Sequence, residues 1–141
     1  IGHDFSEFIT GDILSTTKRM TPKIKEAIDE IEIITYAEQL SILIPKTLRT
    51  DFKSYILDAK DDTIEGKILA ASDVIDALCE CAEEVKLGNI EVFGEVLRNV
   101  SKNLLNIKLE AADYFLKHSL RDLGLPLSSY GEEMEAYVNS L

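Results

Sequence analysis

From about residue 22 onward the apolar positions of this chain recur every three or four residues, the period that gives an α-helix one buried face. Over 22–44 the stripe is Ile24, Ile28, Ile31 and Ile34, opened by Thr21 as a cap with Pro22 at the first helical position and closed by Pro45. A shorter helix is predicted within 46–58 from Leu48, Phe52, Tyr55 and Ile56, and Lys60-Asp61-Asp62 reads as a polar connection. The clearest pattern runs from 63 to 87, where Ile64, Ile68, Ala71, Ile75, Leu78, Ala82 and Val85 alternate steps of four and three. Gly88-Asn89 ends it as a C-terminal cap. From 90 to 121, Phe93, Val96, Val100, Leu104, Ile107, Ala111, Tyr114 and Phe115 predict one long helix ended by Gly124 and Pro126, and a last short helix falls at 131–140.

No repeat, low-complexity run or linker interrupts this series, so 141 residues are expected to form one all-α domain, 1–141, with long helices side by side. Hydrophobic residues at 45% and charged residues at 29% describe a globular chain, and no apolar run approaches the roughly 20 residues of a membrane span. The balance of 26 Asp and Glu against 15 Lys and Arg, a formal charge of −11, argues against a nucleic-acid polymer as partner. An anionic ligand then requires a metal or a local cationic pocket. Cys79 and Cys81 lie two apart and point about 200° from each other on a helix, so they neither bridge nor share a metal. They read as small buried or half-buried hydrophobes, and two free thiols fit a reducing, cytoplasmic compartment. The chain opens Ile1-Gly2-His3-Asp4 without an initiator Met, signal or transit sequence, and its start is expected to be a cut end.

Chemically able groups concentrate in the first dozen residues. On a helix Phe5, Phe8 and Ile9 share one face, His3 and Glu7 the opposite one, and Asp4 falls on the shoulder between them. An imidazole and two carboxylates on one side suit a divalent metal and the water it activates. The same residues also fit the solvated face of a surface helix. Gly11 stops that helix and places Asp12 at the start of a loop.

His3-Asp4, Ser6-Glu7 and Thr10-Gly11-Asp12 fill every fixed position of H-D-x-S-E-x-x-T-G-D. This string resembles the signature of the HD-domain phosphohydrolases, and within them the 5′-deoxynucleotidase (YfbR-like) branch. Lys67, Asp73, Cys79, Glu83-Glu84 and Gly88-Asn89 resemble the family's later helix, where an Asp is the last metal ligand. Asp73 fits that place by its spacing to Glu83-Glu84 and Gly88-Asn89, while Asp76 offers a competing register. Read without the resemblance, Asp73 belongs with Asp76, Glu80 and Glu84 on a solvated face, although Ala70 and Ala77 beside it leave room for a close neighbour.

The resemblance implies an HD-type bundle of about five to six helices that lacks its first ones here. It implies one divalent metal held by His3, Asp4 and Asp73 together with a His from an earlier helix. Co or Mn is favoured, and Zn, Ni, Fe and Mg are also compatible with such ligands. The activity implied is hydrolysis of (deoxy)nucleoside 5′-monophosphates to nucleoside and phosphate. Asp4 and Glu7 would be catalytic, Glu7 in acid/base work or in orienting water. Asp12, Ile13, Leu14 and Ser15 would contact sugar and phosphate, and Lys18 would add charge near the phosphate, though a solvated loop lysine explains it as well. A homodimer is also implied. The chain departs from the pattern in that no His precedes His3, and the Arg and aromatic residue that hold phosphate and base have no segment here. His118 reads as a surface or packing residue near a helix end. These departures imply weak activity for the 141 residues alone and keep two alternatives open: a non-catalytic dimerisation or regulatory module, or a phosphohydrolase of another nucleotide.

Overall fold

The computed structural model of the chain describes Phe5, Thr10, Gly11, Ile13, residues 15–18 and residues 20–141, and among these every regular element is helical. The fold is all-α. It divides into two compact units, Ile1–Ala59 and Lys60–Leu141.

In the first unit, α1 (Ser15–Lys18) is followed by α2 (Pro22–Thr35). Thr21 is extended and its hydroxyl accepts the Ile24 N–H at 3.2 Å, satisfying one of the donors a helix start leaves open. Winding continues past Thr35 but loosens to a π-type turn over Tyr36–Leu40 and tightens to a 3-10 turn over Ser41–Leu43. The segment 22–44 is thus helical over its expected length without being one regular α-helix. Side chains account for the change: the buried Tyr36 donates its hydroxyl to the Arg49 carbonyl, and the Ser41 hydroxyl bonds the Ala37 carbonyl at 2.7 Å. A 3-10 turn at Lys46–Leu48 leads into α3 (Arg49–Leu57), within the expected 46–58. Of the stripe predicted for α2, Ile28 is buried while Ile31 and Ile34 are exposed. The periodicity correctly marks a helix, but the described residues of this unit bury only Ile28, Thr35, Tyr36 and Ile56.

The second unit comprises α4 (Ile64–Lys86), α5 (Ile90–Asn106), α6 (Glu110–His118), 3-10 turns at Leu120–Leu123 and Leu127–Tyr130, and α7 (Glu132–Ser140). Thr63 caps α4 by accepting the Gly66 N–H at 3.1 Å. At its other end Gly88 takes φ 99°, so that the Gly88 and Asn89 N–H groups reach the Val85 and Glu84 carbonyls at 3.1 and 3.0 Å. This is the two-bond Schellman ending that the Gly-Asn pair predicts. The core joins Ala71, Leu78 and Ala82 of α4 to Leu97 and Leu104 of α5, Ala112 and Leu116 of α6, and Met134 and Val138 of α7, with Leu120 and Tyr130 between.

Two expectations about this unit are corrected. Ile64 and Ile68 at the start of α4 are exposed, so the buried stripe begins at Ala71. The single helix expected over 90–121 is two helices; of its expected stripe Leu104 is buried, Phe93, Val100, Ile107 and Phe115 are half-buried against the core and Val96 is exposed, and the fully buried face of α5 is Gly94, Leu97, Ser101 and Leu104. That phase explains the break. Continued without interruption, a face through Leu97, Ser101 and Leu104 would next bury Lys108. The backbone instead leaves helical geometry after Asn106 and extends at Leu109, with φ −136° and ψ 122°. Lys108 stays in solvent and Ala112, Leu116 and Leu120 enter the core, while the predicted Ala111 and Tyr114 are exposed.

Candidate active site

Asp73 lies in the third turn of α4, with its side chain half-buried at 35% exposure. It forms an ion pair with Lys60, which stands in the loop before the helix. The competing Asp76 is exposed. Ala70 and Ala77, one turn to either side of Asp73, are half-buried, so the helix surface around the carboxylate is low.

The loop carrying Lys60 is built by its neighbours. Asp61 accepts the Thr63 N–H at 3.0 Å and also the Thr63 hydroxyl. These bonds, the side-chain one foremost, hold the Asp61 carboxyl below the ordinary range for an aspartate. Thr63 in turn caps α4, and Gly66 gives the loop its seat. A Cβ at Gly66 would lie 2.3 Å from Asp61 Oδ1 and 2.5 Å from the Asp61 carbonyl oxygen. Reading Lys60-Asp61-Asp62 only as a polar connection missed the Lys60–Asp73 pair. The available signal was a cap at Thr63 followed three residues later by a glycine inside a helix, where glycine costs about 1 kcal/mol relative to alanine.

Of the other predicted site residues, His3, Asp4, Glu7, Asp12 and Leu14 lie outside the described residues. Gly11 adopts φ 68°, in the left-handed region that favours glycine. Ile13 is half-buried in non-helical backbone and Ser15 begins α1. Lys18 ends α1 with its ammonium 3.9 Å from Glu32 Oε1 of α2. Glu83, Glu84, Gly88 and Asn89 serve the end of α4: Glu84 accepts the Asn89 amide and Glu83 pairs with Lys86 at 2.6 Å. Cys79 and Cys81 are free, half-buried and buried respectively, and burial, with smaller contributions from nearby carboxylates, pushes both thiols up. His118 is exposed at the end of α6 against Tyr114, with ring centroids 4.4 Å apart.

Among the described residues no group of three or more His, Cys, Asp or Glu gathers as a metal site. Asp73 nevertheless fits a share in one: its carboxylate is half-buried on a helix and already takes a cation, the Lys60 ammonium. A hollow bordered by Arg98, Lys102, Tyr130 and Glu133 contains none of the predicted residues, and Lys102 is paired there with Glu133 at 2.8 Å. Among the described residues no helix is long and apolar enough to cross a membrane.

A sequence model of the 5′-deoxynucleotidase YfbR-like family matches residues 1–123. The chain therefore belongs to that family. It is 34% identical over 115 residues to a 5′-deoxynucleotidase of Photorhabdus laumondii, covering 82% of this chain and 57% of that one. To a 5′-deoxynucleotidase of Vibrio cholerae it is 31% identical over 115 residues, covering 82% and 58%, and to one of Vibrio atlanticus 32% over 114 residues, covering 81% and 58%. The chain thus spans 57–58% of the length of these relatives. No solved structure matches it.

Proposed function

We propose that this chain, as one HD-type domain over 1–141, is a metal-dependent hydrolase of (deoxy)nucleoside 5′-monophosphates that releases nucleoside and phosphate. The observation that carries this reading is the family match over 1–123, which contains both the filled H-D-x-S-E-x-x-T-G-D string and Asp73. In this reading His3, Asp4 and Asp73 are among the ligands of one divalent metal, Co or Mn in preference to Zn, Ni, Fe or Mg. When bound, such a metal would supply Lewis-acid polarisation of the phosphoryl oxygens and activation of a water. Glu7 takes or returns the proton of that water and orients it. Asp12 accepts the sugar 3′-hydroxyl, Ile13, Leu14 and Ser15 contact sugar and phosphate, and Lys18 adds positive charge near the phosphate. An acidic chain tolerates an anionic substrate because a bound divalent ion dominates the field over a few ångströms. A homodimer in the cytoplasm completes the proposal. Exposed apolar residues of the first unit, among them Ile34, Ile42, Leu43 and Tyr55, support the dimer, and the free thiols support the compartment.

The test is direct. Loaded with Co²⁺ or Mn²⁺, the protein is expected to hold about one metal per chain, as a single metal site requires, and to release phosphate from a panel of deoxynucleoside monophosphates above the metal-only background. Glu7→Ala is expected to lose turnover by about 10²-fold or more while retaining metal. Absence of both stoichiometric metal and phosphate release would remove the enzymatic reading. Unchanged turnover in Glu7→Ala would remove Glu7 from the mechanism.

A further inference from the structure

A lysine reaching a single half-buried aspartate is ordinary on a protein surface, but the means by which Lys60 is brought to Asp73 are not. Three features fix its loop against α4: the paired bonds from Thr63 to Asp61, the Thr63 cap on Gly66, and the bare backbone at Gly66 against which Asp61 lies. The loop before the helix is thereby folded back along it, and the Lys60 side chain reaches the third helical turn. A long flexible side chain in an exposed loop ordinarily loses in rotamer entropy much of what its ion pair gains. Here the backbone is held beforehand, and the remaining cost is that of the side chain alone.

We propose that Lys60 is a built-in counter-cation for Asp73: its ammonium occupies the carboxylate in the metal-free protein and is released from it when a divalent metal binds. The inference rests on the reading of Asp73 as a metal ligand. In a chain with a formal charge of −11, an ammonium beside the carboxylate offsets part of the local negative charge whenever the metal is absent. At half exposure the pair remains weak enough to exchange. The consequence is competition, so that Lys60 lowers the apparent affinity of the site for metal.

Titration with Mn²⁺ alone, followed by the electron paramagnetic resonance of free aquo-Mn²⁺, tests this without reference to activity. Lys60→Met keeps most of the apolar stem and removes the charge, and is expected to bind Mn²⁺ about 2- to 5-fold more tightly, the range a half-exposed pair supports. Lys60→Arg keeps the charge and is expected to match the unaltered protein. In the unaltered protein, acetylation of Lys60 relative to the exposed Lys53 is expected to quicken at saturating Mn²⁺, a readout that needs no variant to fold. Unchanged or weaker Mn²⁺ binding by Lys60→Met, with binding abolished in Asp73→Asn, would overturn the counter-cation and leave Asp73 a ligand. Undiminished binding by Asp73→Asn would overturn the ligand reading itself, and so would absence of Mn²⁺ binding by the unaltered protein.

Discussion

Gly66 shows how one residue can be read wrongly in isolation. In an exposed helix interior, Gly→Ala stabilises by about 1 kcal/mol through backbone entropy. At this position the new methyl would meet Asp61 at 2.3–2.6 Å, two of the three nearest atoms being backbone, so the loop would have to move. Gly66→Ala is expected to destabilise the protein by about 1–3 kcal/mol, measured by urea unfolding at constant m. A stabilised variant would show that the loop leaves its seat freely. Tyr130 makes the opposite case. Its side chain is 1% exposed and its hydroxyl has no hydrogen-bond partner among the described residues. Burial pushes its pKa up to about 12. The folded state therefore keeps the phenolic proton after the unfolded chain has released it near pH 10, and the stability held below that pH is lost as the pH rises towards 12. The slope is up to about 1.4 kcal/mol per pH unit. Tyr130→Phe removes the unpaired hydroxyl and is expected to gain about 1 kcal/mol at neutral pH and to lose less stability between pH 10 and 12. Alkaline and neutral denaturant curves for both proteins check it, and a less stable phenylalanine variant would mean that the hydroxyl is bonded.

At the scale of elements, what the sequence makes legible is what is local. Thr21-Pro22 and Gly88-Asn89 act on backbone groups within a few residues, and each marks a helix end found in the structure. The phase of a helix is not local. Along α5 apolar side chains stand at 90, 92, 93, 96, 97, 100, 104 and 105, which supply more than one stripe, and the surfaces of α4 and α7 select between them. Selection of Leu97 and Leu104 then sets the break after Asn106, because the next turn would bury Lys108. Leu97→Ala and Val96→Ala distinguish the two faces directly. Leu97 is 0% exposed and Val96 38%. The first substitution is expected to cost about 2–5 kcal/mol and the second less than about 1 kcal/mol, read as shifts in denaturant midpoint. Equal costs would place the helix in the phase that simple periodicity suggests.

At the scale of the whole molecule, apolar burial is divided unequally. The helices of Lys60–Leu141 share a continuous core from Ala71 to Val138, whereas among the described residues of Ile1–Ala59 only Ile28, Tyr36 and Ile56 are buried apolar side chains. The proposed site residues differ likewise in how legible they are. The motif at 3–12 is contiguous, so its chemistry could be read from neighbouring letters, whereas Asp73 acquires its Lys60 partner only when a loop folds back on a helix. Local opening free energy follows buried contacts, and segments with few of them exchange their amides through cheaper openings than the core does. Hydrogen exchange on the full chain is therefore expected to rank the two units. Amides around Leu78, Leu97 and Leu116 should exchange only through openings near the global unfolding free energy. Those of α2 and α3, where Ile31, Ile34, Phe52 and Tyr55 are exposed, should exchange at least about 10²-fold faster, corresponding to about 3 kcal/mol less protection. Uniform protection across both units would mean that these apolar faces are covered in solution, as the proposed homodimer would cover them, and protection of α2 and α3 that rises with protein concentration would identify that dimer as the cover.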